Sequence, residues 1–190
     1  FINLFAVGMG VSGENLGTGS GGNIAVSATA GGAITTASTL TAQAMGGSTP
    51  SGPGQSAGSG VGGDIDFIAD GGTIQTPVFD VDASSDTANV TGTGGTAQGG
   101  TIDLFARNGG QIVATADEFS RFTVSARSGV SAAGTTATGG SVQLAADAGT
   151  IDLGIGADLS ADGRTGGAAV SGENIPPGIG GAILIRVGAD

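Results

Sequence analysis

Short runs of alternating apolar and polar residues recur along the chain, and each run is opened by the phrase Gly-Gly-x-Ile/Val. The phrase begins at Gly21, Gly62, Gly99, Gly139 and Gly180, so consecutive copies lie 41, 37, 40 and 41 residues apart. A nearly constant period of this length is typical of a solenoid, in which each repeat covers the apolar face of the repeat before it. The pattern therefore predicts a stacked architecture before any single residue is considered.

Each repeat contains three segments that read as strands. The run after the phrase alternates with period two, which predicts a strand with one inward face. A second glycine turn leads to a short strand, as in residues 71–76, and a third strand follows, as in residues 78–83. A polar loop rich in Gly, Ser, Thr and Ala completes the repeat. The inward residues predicted for the first strand are Ile24, Val26, Ile65, Phe67, Ile102, Leu104, Val142, Leu144, Ile183 and Ile185.

Three strands and a loop per repeat describe an all-β fold, a right-handed parallel β-helix. Such coils stack about 4.8 Å apart, and glycine suits the corners because a tight turn often needs a positive φ. A disordered chain would have no reason to keep inward apolar residues in register. Each repeat is one wide coil, which we favour, or two coils of about 20 residues. Five coils stack to roughly 20–25 Å in the first case and about twice that in the second.

The two ends of the chain carry related sequences. Residues 11–16 (VSGENL) return 159 positions later as residues 170–175 (VSGENI). Neither end has the polar, atypical repeat that closes an isolated solenoid. We therefore expect residues 1–190 to be a single β-solenoid segment, without caps, of a longer repetitive protein.

Composition removes most kinds of chemistry. The chain has no Cys, His, Lys, Trp or Tyr, and its five basic residues, all arginine, face sixteen acidic ones for a net charge of −11. A chain this acidic argues against nucleic acid or an anionic membrane as a partner, and no apolar run is long enough for a membrane span. Ser-His-Asp, Cys-His and Ser-Lys nucleophiles cannot be assembled, and zinc lacks its usual ligands. The G-x-G-x-x-G matches at Gly17 and Gly58 lead into strands rather than helices, so no cofactor is expected.

Carboxylates are the remaining candidates for catalysis. Asp80 and Asp82 project from one outer face of a strand, and Asp117 and Glu118 lie near the next copy of that strand. Two acids flanking a sugar could cleave a polysaccharide. The alternative is that they are solvated outward positions, since alternation places every second residue outside. All seven aromatic residues are Phe, and several fall on the inward register, which disfavours a sugar platform.

Asp66 and Asp103 occupy equivalent outward positions in consecutive repeats. If each repeat is one coil, the two side chains lie one rung apart. Two carboxylates at this short separation repel each other unless a cation lies between them. The pair is therefore either a surface Ca²⁺ site or two solvated aspartates, and no other metal site is expected.

The repeats resemble those of filamentous haemagglutinin-like exoproteins, the large bacterial surface adhesins exported by two-partner secretion. Residues 62–74 (GGDIDFIADGGTI) and 99–112 (GGTIDLFARNGGQI) carry the likeness. Autotransporter passenger domains share much of the same pattern.

The resemblance implies an extracellular fibrous protein of a Gram-negative bacterium, acting in adhesion, aggregation or biofilm matrix. It implies no site residues, because the likeness lies in structural positions. Because the sequence contains no plausible catalytic constellation, we expect this fibre segment to be non-catalytic. We expect self-association into filaments, end to end or laterally, and contact with cell-surface glycans or proteins. The outer loops expected to supply that contact surface are 44–61, 84–98, 128–138 and 162–179. A polysaccharide-cleaving β-helix enzyme remains the alternative.

Overall fold

The computed structural model describes residues 1–10, 17–48, 58–87, 95–115, 121–127, 136–163 and 178–188. Within these ranges the chain forms strands and turns and no α-helix. In chain order the strands are β1 (Ile2–Phe5), β2 (Gly8–Gly10), β3 (Gly19–Ser20), β4 (Asn23–Thr29), β5 (Ala33–Thr35), β6 (Thr39–Gln43), β7 (Gly46–Ser48), β8 (Gly60–Val61), β9 (Asp64–Asp70), β10 (Thr73–Thr76), β11 (Val78–Asp82), β12 (Ser85–Thr87), β13 (Ala97–Gln98), β14 (Thr101–Arg107), β15 (Gln111–Ala114), β16 (Arg121–Ser125), β17 (Ala137–Thr138), β18 (Ser141–Asp147), β19 (Thr150–Asp152), β20 (Ala157–Ser160) and β21 (Ala182–Val187).

Corresponding strands of consecutive repeats pair in parallel. Sheet 1 contains β4, β9, β14, β18 and β21; sheet 2 contains β5, β10, β15 and β19; and sheet 3 contains β1, β6, β11, β16 and β20. In sheet 1, Ile65 pairs with Ile24 on one side and with Ile102 on the other. Direct pairing of consecutive copies means that each repeat is one coil. The predicted β-solenoid is confirmed.

Sheets 1, 2 and 3 enclose the apolar core. Phe67 of sheet 1 meets Phe79 of sheet 3 edge to face, with ring centroids 5.8 Å apart, and both side chains are fully buried. The ladder Ile34–Ile74–Ile112–Ile151 of sheet 2 packs against the same cluster. In the middle coils, alternation along the strands therefore places side chains inside or outside as the sequence predicts.

The prediction fails at the last rung of sheet 1. Ile183 and Ile185 keep the register of the inward residues Val142 and Leu144, yet they are 46% and 59% exposed. The reason is that β21 pairs with β18 along one edge only. At the other end of the same sheet, Val26 is half-buried.

Within the described ranges, the chain also leaves the core along short strands that the sequence did not predict. Sheet 4 contains β2, β7 and β12, and sheet 5 contains β3, β8, β13 and β17. These two sheets, which we call the arm, lie so close that a Cβ atom on Gly46 would overlap the carbonyl oxygen of Val61. Backbones in direct contact need no large apolar residues, so the arm strands lack the alternation that marks the others. The polar segments of the sequence also contain Val11, Val90, Val130 and Val170, which lie outside the described residues.

A hydrogen bond closes the core where the arm begins and ends. The amide of the second glycine of each phrase donates to the carbonyl of the alanine that follows the sheet 3 strand. The copies are Gly22 to Ala6 at 2.7 Å, Gly63 to Ala44 at 2.7 Å, Gly100 to Ala83 at 2.8 Å, Gly140 to Ala126 at 2.7 Å and Gly181 to Ala161 at 2.6 Å. We call this row of bonds the neck.

The neck corrects the explanation of the recurring glycines. None of the Gly-Gly phrases has a positive φ; positive values occur at the turn between sheets 1 and 2, as at Gly71 and Gly109. In the neck, a Cβ on Gly100 would overlap the carbonyl oxygen of Gly63 in the preceding coil. Close backbone approach, rather than an unusual dihedral angle, therefore requires glycine at Gly63, Gly100, Gly140 and Gly181, whereas a Cβ on Gly180 would meet nothing within 4 Å.

Candidate functional site

Register places the outward residues of sheet 1 in columns that cross the coils. One column contains Asp66, Asp103 and Gln143; the next contains Ile68, Phe105, Ala145 and Arg186; and a third contains Asp70, Arg107 and Asp147. The apolar column thus runs between two polar ones. This outer face therefore places acidic, basic, amide and aromatic side chains next to one another.

The predicted neighbours Asp66 and Asp103 do lie one rung apart. Both are half-buried, and burial raises the pKa of Asp103, as do the nearby charges of Asp66 and Asp64. In the part of the chain that the structure describes, no three acidic residues are grouped to hold a metal ion. The Ca²⁺ site at Asp66 and Asp103 stays a prediction.

In the third column, Asp70 forms a hydrogen bond and a salt bridge with Arg107 and a hydrogen bond with the adjacent Asn108. Arg107 donates from Nε to Asp70 Oδ2 at 3.0 Å, and its Nη2 lies 3.0 Å from the same oxygen. Asn108 Nδ2 donates to Asp70 Oδ1 at 2.6 Å. The Asn108 hydrogen bond is the main cause that lowers the pKa of Asp70, and Arg107 lowers it further against the opposing effect of burial. Asp147 is in register on the far side of Arg107.

A depression opens in the middle column. Ala145 is small, and its neighbours in the column are Phe105 on one side and Arg186 on the other. The resulting notch has a volume of about 430 Å³ and is also lined by Gln143 and Asp147 from the flanking columns. We call it the Ala145 notch. It combines an aromatic wall, a cationic wall and two polar side chains.

Phe105 is the residue that the sequence analysis overlooked. It lies between the inward Leu104 and Ala106, so alternation alone places it outside. Ala145 and Arg186 follow at offsets of 40 and 41 residues, which the repeat period also brings together. The signal was therefore present in the chain, but it required comparing outward positions between repeats.

The candidate catalytic carboxylates are only partly placed. Asp80 and Asp82 lie on the outer face of β11, both half-buried, and Asp82 Oδ1 accepts a hydrogen bond from the amide of Ser84 at 2.9 Å. Burial raises the pKa of Asp80, and the charge of Asp82 raises it further. Asp117 and Glu118 lie outside the described residues.

Comparisons of the chain with protein-family models, curated proteins and solved structures found no significant match. The resemblance to filamentous haemagglutinin-like exoproteins is therefore carried by the repeat pattern alone. Among the described residues, no helix has the length and apolar character needed to cross a membrane.

Proposed function

We propose that this solenoid is a structural and adhesive shaft segment of an extracellular bacterial fibre and is not catalytic. The haemagglutinin-like repeats favour a surface protein of a Gram-negative cell that acts in adhesion, aggregation or biofilm matrix. The shaft is the core enclosed by sheets 1, 2 and 3, and the arm and the outer faces are its contact surfaces.

The observation that carries the proposal is the in-register stacking of consecutive coils, in which Ile65 pairs with Ile24 on one side and with Ile102 on the other. Ile183, Ile185 and Val187 are 46%, 59% and 83% exposed, although Ile183 and Ile185 are in register with core residues of the preceding coil. Beneath them a cavity of about 80 Å³ opens between Leu144 and Ile151. Unpaired strand edges invite a further strand, so this end has both the hydrogen-bonding groups and the apolar surface to receive another coil.

Negative-stain microscopy of the native protein, with and without a chelator, tests the fibre. We expect rods or fibres, and bundling when salt or Ca²⁺ screens the charge of −11. The chain alone should associate end to end, and Ile185→Asp should reduce that association because it puts a charge on the exposed rung. Leu184→Asp is the matched control, since that side chain lies on the outer register of the same strand. Compact, monodisperse particles from the full-length native protein under all these conditions would refute the fibre.

The second candidate, a polysaccharide-cleaving enzyme, rests on Asp80 and Asp82. A carboxyl group with a raised pKa beside a second carboxylate has the character of an acid paired with a base or nucleophile. Incubation with acidic and neutral polysaccharides should release no new reducing ends if the shaft function is correct. Release that disappears in Asp82→Asn would favour the enzyme.

A further inference from the structure

The width of the Ala145 notch suits a flat ring. Phe105 and Arg186 are separated by one intervening strand, so their Cα atoms are about 9.6 Å apart at the usual strand spacing. A ring placed between an aromatic face and a guanidinium group needs two van der Waals separations, roughly 7–8 Å in total. The notch therefore has room for a layer one ring thick.

Phe105 lies on the outer face of sheet 1. Phe105 is half-buried, and Ile68 is its neighbour in the adjacent strand. Ile68 therefore lies beside one side of the ring. The other side faces Ala145, whose methyl group leaves the notch open. An apolar ring face next to a small residue is suited to stacking against the C–H face of a sugar.

The Ala145 notch brings together two of the five arginines of the chain. Two arginines, Arg107 and Arg186, and one acid, Asp147, line it in a protein of net charge −11. Arg107 is held by Asp70, whereas Arg186 forms no salt bridge with any described residue. A guanidinium that is not already paired can bind a carboxylate through two parallel hydrogen bonds.

Two polar side chains, Gln143 and Asp147, also line the notch. Gln143 offers an amide that both donates and accepts hydrogen bonds, and the Asp147 carboxylate accepts them. Hydroxyl groups around a pyranose ring are donors and acceptors of the matching kind. We infer that the notch binds a carboxylate-bearing pyranose, that is, a uronic-acid residue of an anionic polysaccharide. This inference rests on the proposed function, because it names the partner chemistry of one outer face of the fibre.

Titration calorimetry with a tetragalacturonate, and with uncharged maltotetraose for comparison, tests the inference on the whole chain. We expect the acidic sugar to bind at least tenfold more tightly than the neutral one, and to bind more weakly as salt is added. Arg186→Gln should weaken acidic-sugar binding at least tenfold, and Ala145→Leu should abolish it by filling the notch. Arg127→Gln, which changes an arginine outside the notch, is the control and should bind normally.

Far-UV circular dichroism checks that each variant is folded. If Arg186→Gln or Ala145→Leu does not fold, Phe105→Ala replaces it and should also weaken binding of the acidic sugar. Equal affinity for the two sugars, no binding by the folded wild type, or normal binding by folded Arg186→Gln and Ala145→Leu would each overturn the inference. Microscopy of the same variants separates this outcome from the fibre. If rods form but no sugar binds, only the inference that the notch binds a sugar is contradicted. If rods never form, the proposed fibre function is contradicted.

Discussion

The amide of Gly100 donates a hydrogen bond of 2.8 Å to the carbonyl oxygen of Ala83. Gly100 follows Ala83 by 17 positions in the sequence, and the arm strands β12 and β13 lie between them in the chain. Because the bond joins the start and the end of the arm, it lets each coil extend sideways without opening the core. Insertions in the arm loop should therefore be tolerated better than any change at the neck itself.

Gly100→Ala tests the neck. The new methyl group would overlap the Gly63 carbonyl, a backbone atom that cannot rotate away. We expect the free energy of unfolding to fall by at least about 2 kcal/mol, measured by urea denaturation. Gly180→Ala is the control, because a Cβ there meets nothing within 4 Å, and its effect should stay below about 0.5 kcal/mol. Equal losses in the two variants would contradict the packing explanation.

Phe67→Ala tests the core. Phe67 is fully buried and contacts Phe79 edge to face, so truncation removes apolar burial and leaves a cavity. The expected loss is about 3–5 kcal/mol, measured by thermal or chemical denaturation. Phe105→Ala, on the next strand of the same sheet but facing outward, should cost far less. A loss at Phe105 as large as that at Phe67 would mean that the inward and outward faces are wrongly assigned.

Ala148→Gly tests the turn between sheets 1 and 2. Ala148 has a φ of 49°, a left-handed conformation that costs an L-residue with a Cβ about 1–2 kcal/mol. Glycine removes that cost but is more flexible in the unfolded chain. We expect a net stabilisation of about 0.5–1 kcal/mol. Ala146→Gly, within the preceding strand, should instead destabilise the protein, and a gain there as well would contradict the dihedral explanation.

The dependence of stability on pH tests Asp103. Its pKa is raised in the folded state, so both states are ionised at neutral pH and the folded state bears the cost of the buried, crowded charge. As pH falls through the raised pKa towards the ordinary aspartate value of about 3.9, the folded state takes up the proton first and the free energy of unfolding rises.

Asp103→Asn should therefore be more stable than wild type at neutral pH, and the difference should shrink on acidification. Asp66→Asn, which removes one of the neighbouring charges, should have a smaller effect of the same sign. Asp70 acts in the opposite sense: its lowered pKa means that its stabilising contribution is lost as pH falls below about 3.9. Parallel stability curves for wild type and Asp103→Asn would contradict the assignment.

The repeat period and the alternation within it were enough to predict the stacked coils and the inward ladder. A residue such as Ile65 has copies at intervals of about 40 residues, and each copy must face the same way for the coils to stack. Hydrophobic burial acts on every copy alike, so the same pattern recurs in every repeat and is easily detected in the sequence. The same register placed Asp66 beside Asp103.

Other features depended on contacts that leave no local pattern. The arm strands pack backbone against backbone, so Gly46 and Gly19 resemble loop residues in the sequence. The neck bond joins Ala83 to Gly100, and the types of the residues between them do not predict that the chain returns to this point. The Ala145 notch exists because a small residue stands between Phe105 and Arg186 on three different strands, and Ile185 is exposed because β21 is paired along one edge only. Alternation determines which way a side chain points, but which groups then come into contact depends on how whole coils stack and close.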